Sequence, residues 1–166
     1  YNVYALQVPN DLNFAGESMP LQNPDIFERM DRELLVNTYW QSNGLLMFKR
    51  AKKYFPIIEP ILKAQGVPDD FKYLAVIESG LTNAVSPAGA RGVWQIMPAT
   101  GRENGLEVNK NVDERYNLEK ATEVACKYLK KSKESLGSWT LAAAAYNAGN
   151  TGVSRRLKAQ KVDSYY

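Results

Sequence analysis

The sequence contains no histidine and only one cysteine, Cys126. The absence of histidine excludes Ser-His-Asp triads, Cys-His dyads, histidine general bases and His-ligated metal centres. A single cysteine excludes an intrachain disulfide and a cysteine zinc cluster, and Cys126 is interpreted as a small core residue. Any chemistry must therefore use carboxylates, hydroxyls, amides or lysines, and we expect neither a metal nor a cofactor.

Long apolar runs and strong charge are lacking as well. No stretch approaches the roughly 18 apolar residues of a membrane-spanning helix, so no span is predicted. The 166 residues are 45% hydrophobic and 23% charged, which suits one globular domain.

The net charge of +3 is concentrated in residues 117–166, which carry nine Lys and Arg against four Asp and Glu. A solvated helix face explains this excess, with attraction to an anionic cell-surface polymer as the alternative. No basic run is interleaved with aromatic residues, so nucleic acid is not an expected partner.

The chain is predicted to be all-α after an extended arm. Residues 1–23 hold proline, glycine and asparagine with no regular period, although their apolar residues suggest that the arm packs on something. From residue 24 the spacing of apolar residues becomes helical, and no strand pair is evident. Helices are predicted from 24 to a break at Gly44, and then at about 45–55, 56–65, 69–80, 98–104, 117–136, 138–146 and 151–161. Pro56 is expected to separate two of them, an aspartate to cap the helix at 69, and Asn117 and Ser138 to cap two others.

Glu78 is the strongest candidate for chemistry. It follows the apolar run Tyr73–Ile77 in the last turn of a helix that we expect to be buried. Burial and the negative end of the helix dipole both disfavour a carboxylate there, which raises its pKa. A carboxylic acid that stays protonated near neutral pH can serve as a general acid. The structural alternative is a glutamate that points into solvent or pairs with Arg91 or Arg102.

Two further segments combine small residues with polar and aromatic ones. In residues 88–100, Gly and Ala permit close backbone approach, while Trp94, Gln95 and Met97 offer apolar surface beside an amide, which suits an N-acetylated sugar. A turn followed by core residues is the alternative. In residues 142–149, an alanine run permits tight helix packing, and Tyr146 and Asn147 at the helix end can face a cleft.

Taken in order, these segments resemble the three signature motifs of the lytic transglycosylases. The matching stretches are Glu78–Gly80, Gly92–Thr100 and Ala145–Gly149. The resemblance extends from about Tyr54 to Tyr166, and less specifically over Leu6–Trp40. It implies a goose-lysozyme-like all-α fold, with an arm at 1–23 and a catalytic domain at 24–166. It also implies cleavage of the β-1,4 bond between N-acetylmuramic acid and N-acetylglucosamine in peptidoglycan.

The resemblance implies a role for each matching residue. Glu78 corresponds to the single catalytic acid/base. The substrate-binding residues are then Ser79, Gln95, Met97, Thr100, Tyr146 and Asn147. The family usually continues with a further helix that closes the cleft wall, so we expect this chain to lack the last family helix. The expected location is the bacterial periplasm or cell envelope, and anchoring to an outer membrane would depend on a segment upstream of Tyr1.

A single acid requires that the substrate supply the nucleophile. The other acids near the motifs lie in polar connecting segments, and nothing marks them as a partner of Glu78; these are Glu103, Glu107, Asp113 and Glu114. We therefore expect the acetamido group of muramic acid to assist and a 1,6-anhydro sugar to form. A lysozyme-type muramidase with a second carboxylate roughly 5–9.5 Å from Glu78 is the first alternative. A non-catalytic peptidoglycan-binding module is the second.

Overall fold

The computed structural model describes residues 4–39 and 44–166, and helix dominates them. The helices of these residues are α1 (Pro24–Tyr39), α2 (Gly44–Ala64), α3 (Lys72–Ser79), α4 (Pro98–Glu103), α5 (Leu118–Leu136), α6 (Trp139–Ala148) and α7 (Asn150–Gln160). The predicted all-α class is confirmed. The start of the predicted arm, residues 1–3, and the predicted continuation of the first helix through 40–43 lie outside the described residues. None of the described helices is both long and apolar enough to cross a bilayer.

The described part of the arm contains a short hairpin that the sequence did not reveal. Strands β1 (Asn13–Phe14) and β2 (Glu17–Ser18) pair antiparallel around Ala15 and Gly16. Both turn residues have positive φ, of 56° and 77°, as a two-residue type I′ turn requires. Strands of two residues are too short to show an alternating pattern, and so the prediction that no strand pair exists was wrong.

The arm is fastened to the helical body by two carboxylates. The Asp70 side chain accepts a hydrogen bond of 2.7 Å from the backbone N–H of Ala15. The Glu17 carboxylate accepts the backbone N–H of Trp139 and, at 2.9 Å, that of Thr140. These two N–H groups belong to the first turn of α6, where a helix has unsatisfied donors and favours negative charge. Glu17 therefore caps α6 from a distant part of the chain.

Helix α2 is longer than the sequence suggested. The predicted break at Pro56 is wrong, because α2 continues through Pro56 and Pro60 to Ala64. A proline inside a helix removes one N–H, and leaves the carbonyl four residues earlier without its usual partner. The two prolines are exposed and one turn apart, so the freed carbonyls face water. Ile58 and Leu62 are fully buried on the other side and hold the helix against the core.

The segment before Glu78 also differs from the prediction. A 3₁₀ turn, Asp69–Phe71, precedes α3, and no side chain caps it. Asp69 forms an ion pair with Lys72 at 2.5 Å, so the predicted aspartate cap is wrong. The prediction of a wholly buried helix is also wrong, because Tyr73 and Ile77 are 51% and 79% exposed. Helix α3 thus lies with one face on the core and the other in solvent.

The core lies between α2, α3, α5 and the loop that follows α3. Trp94 is fully buried, and its indole N–H donates to the Thr122 hydroxyl at 2.8 Å. Cys126 is buried as predicted, and burial raises the pKa of its thiol to about 11. The predicted caps of α5 and α6 are confirmed, since the side chains of Asn117 and Ser138 accept backbone N–H groups of the first turns.

Candidate active site

Glu78 lies at the end of α3, half-buried and without a polar partner among the described residues. Burial raises the pKa of its carboxyl above the usual 4.5. The arginines considered as partners are engaged elsewhere: Arg91 pairs with Asp113 at 3.3 Å, and Arg102 donates to a backbone carbonyl. The helix ends two residues later at Gly80, which has the left-handed conformation that favours glycine. The fold therefore presents a carboxyl whose neutral form is favoured by its surroundings.

Ser79 connects the end of α3 to the following loop. Its hydroxyl donates to the Val93 carbonyl at 2.7 Å and accepts the backbone N–H of Thr82 at 3.3 Å. The Thr82 hydroxyl in turn donates to the Ser79 carbonyl at 2.7 Å. These bonds fix the position of Glu78 relative to Val93 and Trp94. The predicted contact of Ser79 with the sugar remains a prediction, and the structure adds a positioning role.

Gln95 occupies a strained backbone conformation with φ of 47°. Its side-chain NH₂ donates to the carbonyls of Ala84 and Gly92, at 3.0 and 2.9 Å. Both amide donors are thus used inside the loop, which leaves the side-chain carbonyl oxygen as the group available to a ligand. A non-glycine residue held at positive φ by its own side chain is a feature that clusters at functional sites.

A buried arginine that the sequence analysis missed holds this loop in place. Arg115 is 3% exposed and donates to the carbonyls of Gly89 and Ile96, at 2.8 and 3.0 Å. Its remaining donors bind both carboxylate oxygens of Asp113, at 2.8 and 2.7 Å. This bidentate pair lowers the pKa of Asp113. Every partner except Asp113 is distant in sequence, so no local signal marked Arg115.

Tyr146 at the end of α6 approaches the loop from the other side. Its hydroxyl donates to the Trp94 carbonyl at 2.8 Å, and its ring meets that of Tyr128 edge-on at 5.5 Å. Burial, and then the negative charge of Glu78, raise the pKa of this phenol well above its usual 10. Tyr146 therefore keeps its proton and remains a hydrogen-bond donor to the loop.

A cavity of about 200 Å³ collects most of the predicted substrate-binding residues. Its predicted members are Gln95, Met97, Thr100, Tyr146 and Asn147. Its other lining residues, which the sequence analysis did not assign to a site, are Ile96, Val124, Ala125, Tyr128 and Gly149. Glu78 and Ser79 do not line this cavity. They are joined to it through the Val93–Trp94 backbone, which Ser79 holds on one side and Tyr146 on the other.

Two of the other acids near the motifs, Asp113 and Glu114, have partners of their own. Asp113 binds Arg115, while Glu114 pairs with Lys120 and accepts the backbone N–H of Glu107 at 2.7 Å. These contacts lower the pKa of both carboxyls, which makes them poor general acids. Across residues 4–39 and 44–166, no three side chains of metal-binding type cluster together.

Comparison with known proteins places the chain in a family. Residues 55–165 match the family model of the transglycosylase SLT domain, which covers more than half of the chain. The chain therefore belongs to the transglycosylase SLT domain family, and the predicted resemblance is confirmed. Two curated relatives are each called membrane-bound lytic murein transglycosylase D, one from Escherichia coli K12 and one from Escherichia coli O6:H1. Each is 31% identical over 153 residues, an alignment that covers 89% of this chain and 33% of the relative. The chain thus spans about a third of the length of these relatives.

Proposed function

We propose that residues 24–166 form the catalytic domain of a peptidoglycan lytic transglycosylase, in the bacterial periplasm or cell envelope. The substrate would be the β-1,4 bond between N-acetylmuramic acid and N-acetylglucosamine. Family membership and the similarity to lytic murein transglycosylase D support this class. The single observation that carries the proposal is the environment of Glu78, a half-buried carboxyl with a raised pKa and no partner among the described residues. Membrane attachment, which the relatives' name suggests, would rest on a segment outside this chain.

In the first step Glu78 acts as a general acid. Its proton passes to the glycosidic oxygen as the bond from that oxygen to C1 of muramic acid breaks. The acetamido oxygen of the same muramic acid attacks C1 from the opposite face and forms a cyclic oxazolinium. The raised pKa of Glu78 favours this step, because it keeps the proton on the carboxyl at a pH where an ordinary glutamate has lost it.

In the second step Glu78 acts as a base. The C6 hydroxyl of muramic acid attacks C1 and opens the oxazolinium ring, and its proton returns to the Glu78 carboxylate. The product is a 1,6-anhydro sugar, no water is consumed, and Glu78 is ready for another cycle. Asp113 and Glu114 are bound to Arg115 and Lys120, which makes either carboxylate a poorer nucleophile or base and supports this route over one with two carboxylates.

The cavity residues would hold the sugars in register with Glu78. The free carbonyl oxygen of Gln95, the Thr100 hydroxyl and the Asn147 amide can accept or donate hydrogen bonds to hydroxyl and acetamido groups. Met97 is 41% exposed and offers apolar surface to a sugar face. Tyr146 keeps its proton because its pKa is raised, and thereby holds the Trp94 carbonyl in place.

The test is the variant Glu78→Gln, assayed on purified peptidoglycan. Loss of the acid should lower the rate of cleavage by roughly 10²- to 10⁴-fold, while circular dichroism and the melting temperature stay near wild type. Glu103→Gln is the matched control, because Glu103 is exposed and the same charge is removed. Near-normal activity of Glu78→Gln would refute the assignment.

Product mass separates the proposed reaction from its alternatives. A 1,6-anhydro product has the mass of the glycan fragment alone, whereas hydrolysis of the lysozyme type adds one water. A zymogram with whole sacculi tests the third possibility, since a binding module retains sacculi without clearing them. Hydrolysed product, or binding without clearing by the wild-type chain, would each overturn the proposal.

A further inference from the structure

A second concave surface lies beside the end of α3. It is a groove of about 360 Å³ between the first half of α2 and the loop that follows Gly80. Helix α2 contributes the cationic groups of Lys49, Arg50 and Lys53, and the loop contributes Thr82 and Asn83. Leu46 and Tyr54 line it as well. None of the sequence predictions or family motifs uses this groove.

The groove carries uncompensated positive charge. Lys49 and Lys53 are one helical turn apart and so project from the same side of α2. Among the described residues, no carboxylate lies within 4.0 Å of the charged groups of Lys49, Arg50 or Lys53. Neighbouring cations repel one another, so the clustering of these three charges by itself opposes folding. A concave surface lined with one sign of charge concentrates the opposite charge from solution.

The groove is joined rigidly to the end of the helix that carries Glu78. The Arg50 guanidinium donates to the Gly80 carbonyl at 3.2 Å, and Gly80 is two residues after Glu78. Leu81 is 1% exposed and fixes the start of the loop in the core. The Thr82 hydroxyl, on the groove wall, is bound to the Ser79 carbonyl. The groove wall and Glu78 therefore belong to one continuous, hydrogen-bonded stretch of chain, residues 78–82.

We propose that this groove binds the carboxylates of the short peptides that peptidoglycan carries on its muramic acid residues. The inference rests on the proposed function, because it takes the glycan to be bound beside Glu78. The lysine ammonium groups supply charge, and Thr82 and Asn83 supply neutral hydrogen bonds to a peptide backbone. An anionic lipid surface shares the charge, but the three cations lie in a concavity, where a peptide fits better than a flat surface.

A binding experiment without cleavage tests the proposal. The probes are the disaccharide N-acetylglucosaminyl-N-acetylmuramic acid with its peptide and the same disaccharide without it, neither of which contains the bond that is cleaved. We expect calorimetric titration of the wild-type chain to show about tenfold tighter binding of the peptide-bearing probe. The variant Lys49→Gln/Lys53→Gln should lose that preference, and a rise in ionic strength should weaken it in the wild type.

Matched variants separate this site from general charge effects. Lys52→Gln/Lys127→Gln removes the same charge from exposed positions outside the groove and should keep the preference. Lys49→Arg/Lys53→Arg should keep it too, which shows that a loss in the glutamine variant reflects charge rather than misfolding. Equal binding of both probes by the wild type, or a preference that survives in the glutamine variant, would overturn the proposal.

Two further outcomes are informative. If the glutamine variant loses only its binding to phosphatidylglycerol vesicles and keeps the peptide preference, the groove is a lipid contact and the proposal is wrong. Because neither probe is cleaved, the result does not depend on the Glu78 reaction. If the chain is inactive on peptidoglycan but prefers the peptide-bearing probe, the proposed reaction is refuted and the groove proposal stands. If the chain is active but shows no such preference, the groove proposal is refuted and the reaction stands.

Discussion

Glu78 and Arg115 are two charged residues, one half-buried and one fully buried, that the fold surrounds in opposite ways. Arg115 has a partner for every side of its guanidinium, namely two backbone carbonyls and the Asp113 carboxylate. Glu78 has no polar partner among the described residues, and its pKa rises instead. The comparison teaches that the partners of a charged group, together with its burial, separate an architectural role from a chemical one. A satisfied charge holds the loop, and an unsatisfied one is free to exchange a proton.

The largest expected effect on stability comes from removal of the satisfied charge. Arg115→Met should lower the free energy of unfolding by roughly 3–5 kcal/mol, because it leaves Asp113 half-paired and two loop carbonyls without donors. Chemical denaturation measures this, with exposed Arg102→Met as a control that should cost under about 1 kcal/mol. Glu78→Gln should leave stability unchanged or raise it. A large loss of stability in Glu78→Gln would erase the distinction between the two residues.

The next prediction concerns Gly92, whose backbone packs closely against the backbone carbonyl of Arg115. Gly92 has φ of 80°, and a Cβ there would lie 2.2 Å from the Arg115 carbonyl oxygen. Gly92→Ala should therefore cost roughly 2–4 kcal/mol, from steric overlap as well as backbone strain. Gly89 has a similar φ of 86°, but a Cβ there would meet open space. Gly89→Ala should therefore lower the free energy of unfolding by only about 1 kcal/mol. Equal melting temperatures of the two variants would contradict this account.

The smallest effect is a pair of opposite pH dependences. The folded-state pKa of Glu78 is raised above 4.5, so its contribution to stability is present below that pH and is lost as pH rises through the folded pKa. The folded-state pKa of Asp113 is lowered below 3.8, so its contribution is present above that pH and is lost as pH falls through the folded pKa. Denaturant titrations across pH should show that Glu78→Gln removes the loss of stability above pH 4.5 and leaves the loss of stability below pH 3.8 unchanged. Loss of the lower dependence in that variant would contradict the assignment.

Sequence reasoning succeeded where the signal was local. The caps at Asn117 and Ser138 are short motifs whose partners lie three residues away, and both were found. The motif residues of the cavity were reached through a family resemblance, and the structure brings five of them together. Their contacts with substrate remain predictions.

Apart from the hairpin, whose strands are too short to show a pattern, the failures depend on three-dimensional surroundings. Whether Pro56 breaks α2 depends on which side of the helix faces water, and the apolar run before Glu78 cannot show which face is covered. Arg115 was missed because its carbonyl partners are 26 and 19 residues away. The charged groove depends on α2 meeting the loop after Gly80, which no pattern in either segment indicates.

The cap that Glu17 places on α6 has a consequence for the order of assembly. The two partners are 122 residues apart, so the carboxylate leaves the ribosome long before the N–H groups that it binds. The arm can contact Asp70 earlier, but its attachment through Glu17 must wait until α6 has been synthesised. Helix α6 also carries Tyr146. Synthesis of α6 therefore supplies at once Tyr146 of the candidate site and the N–H groups that complete the attachment of the arm.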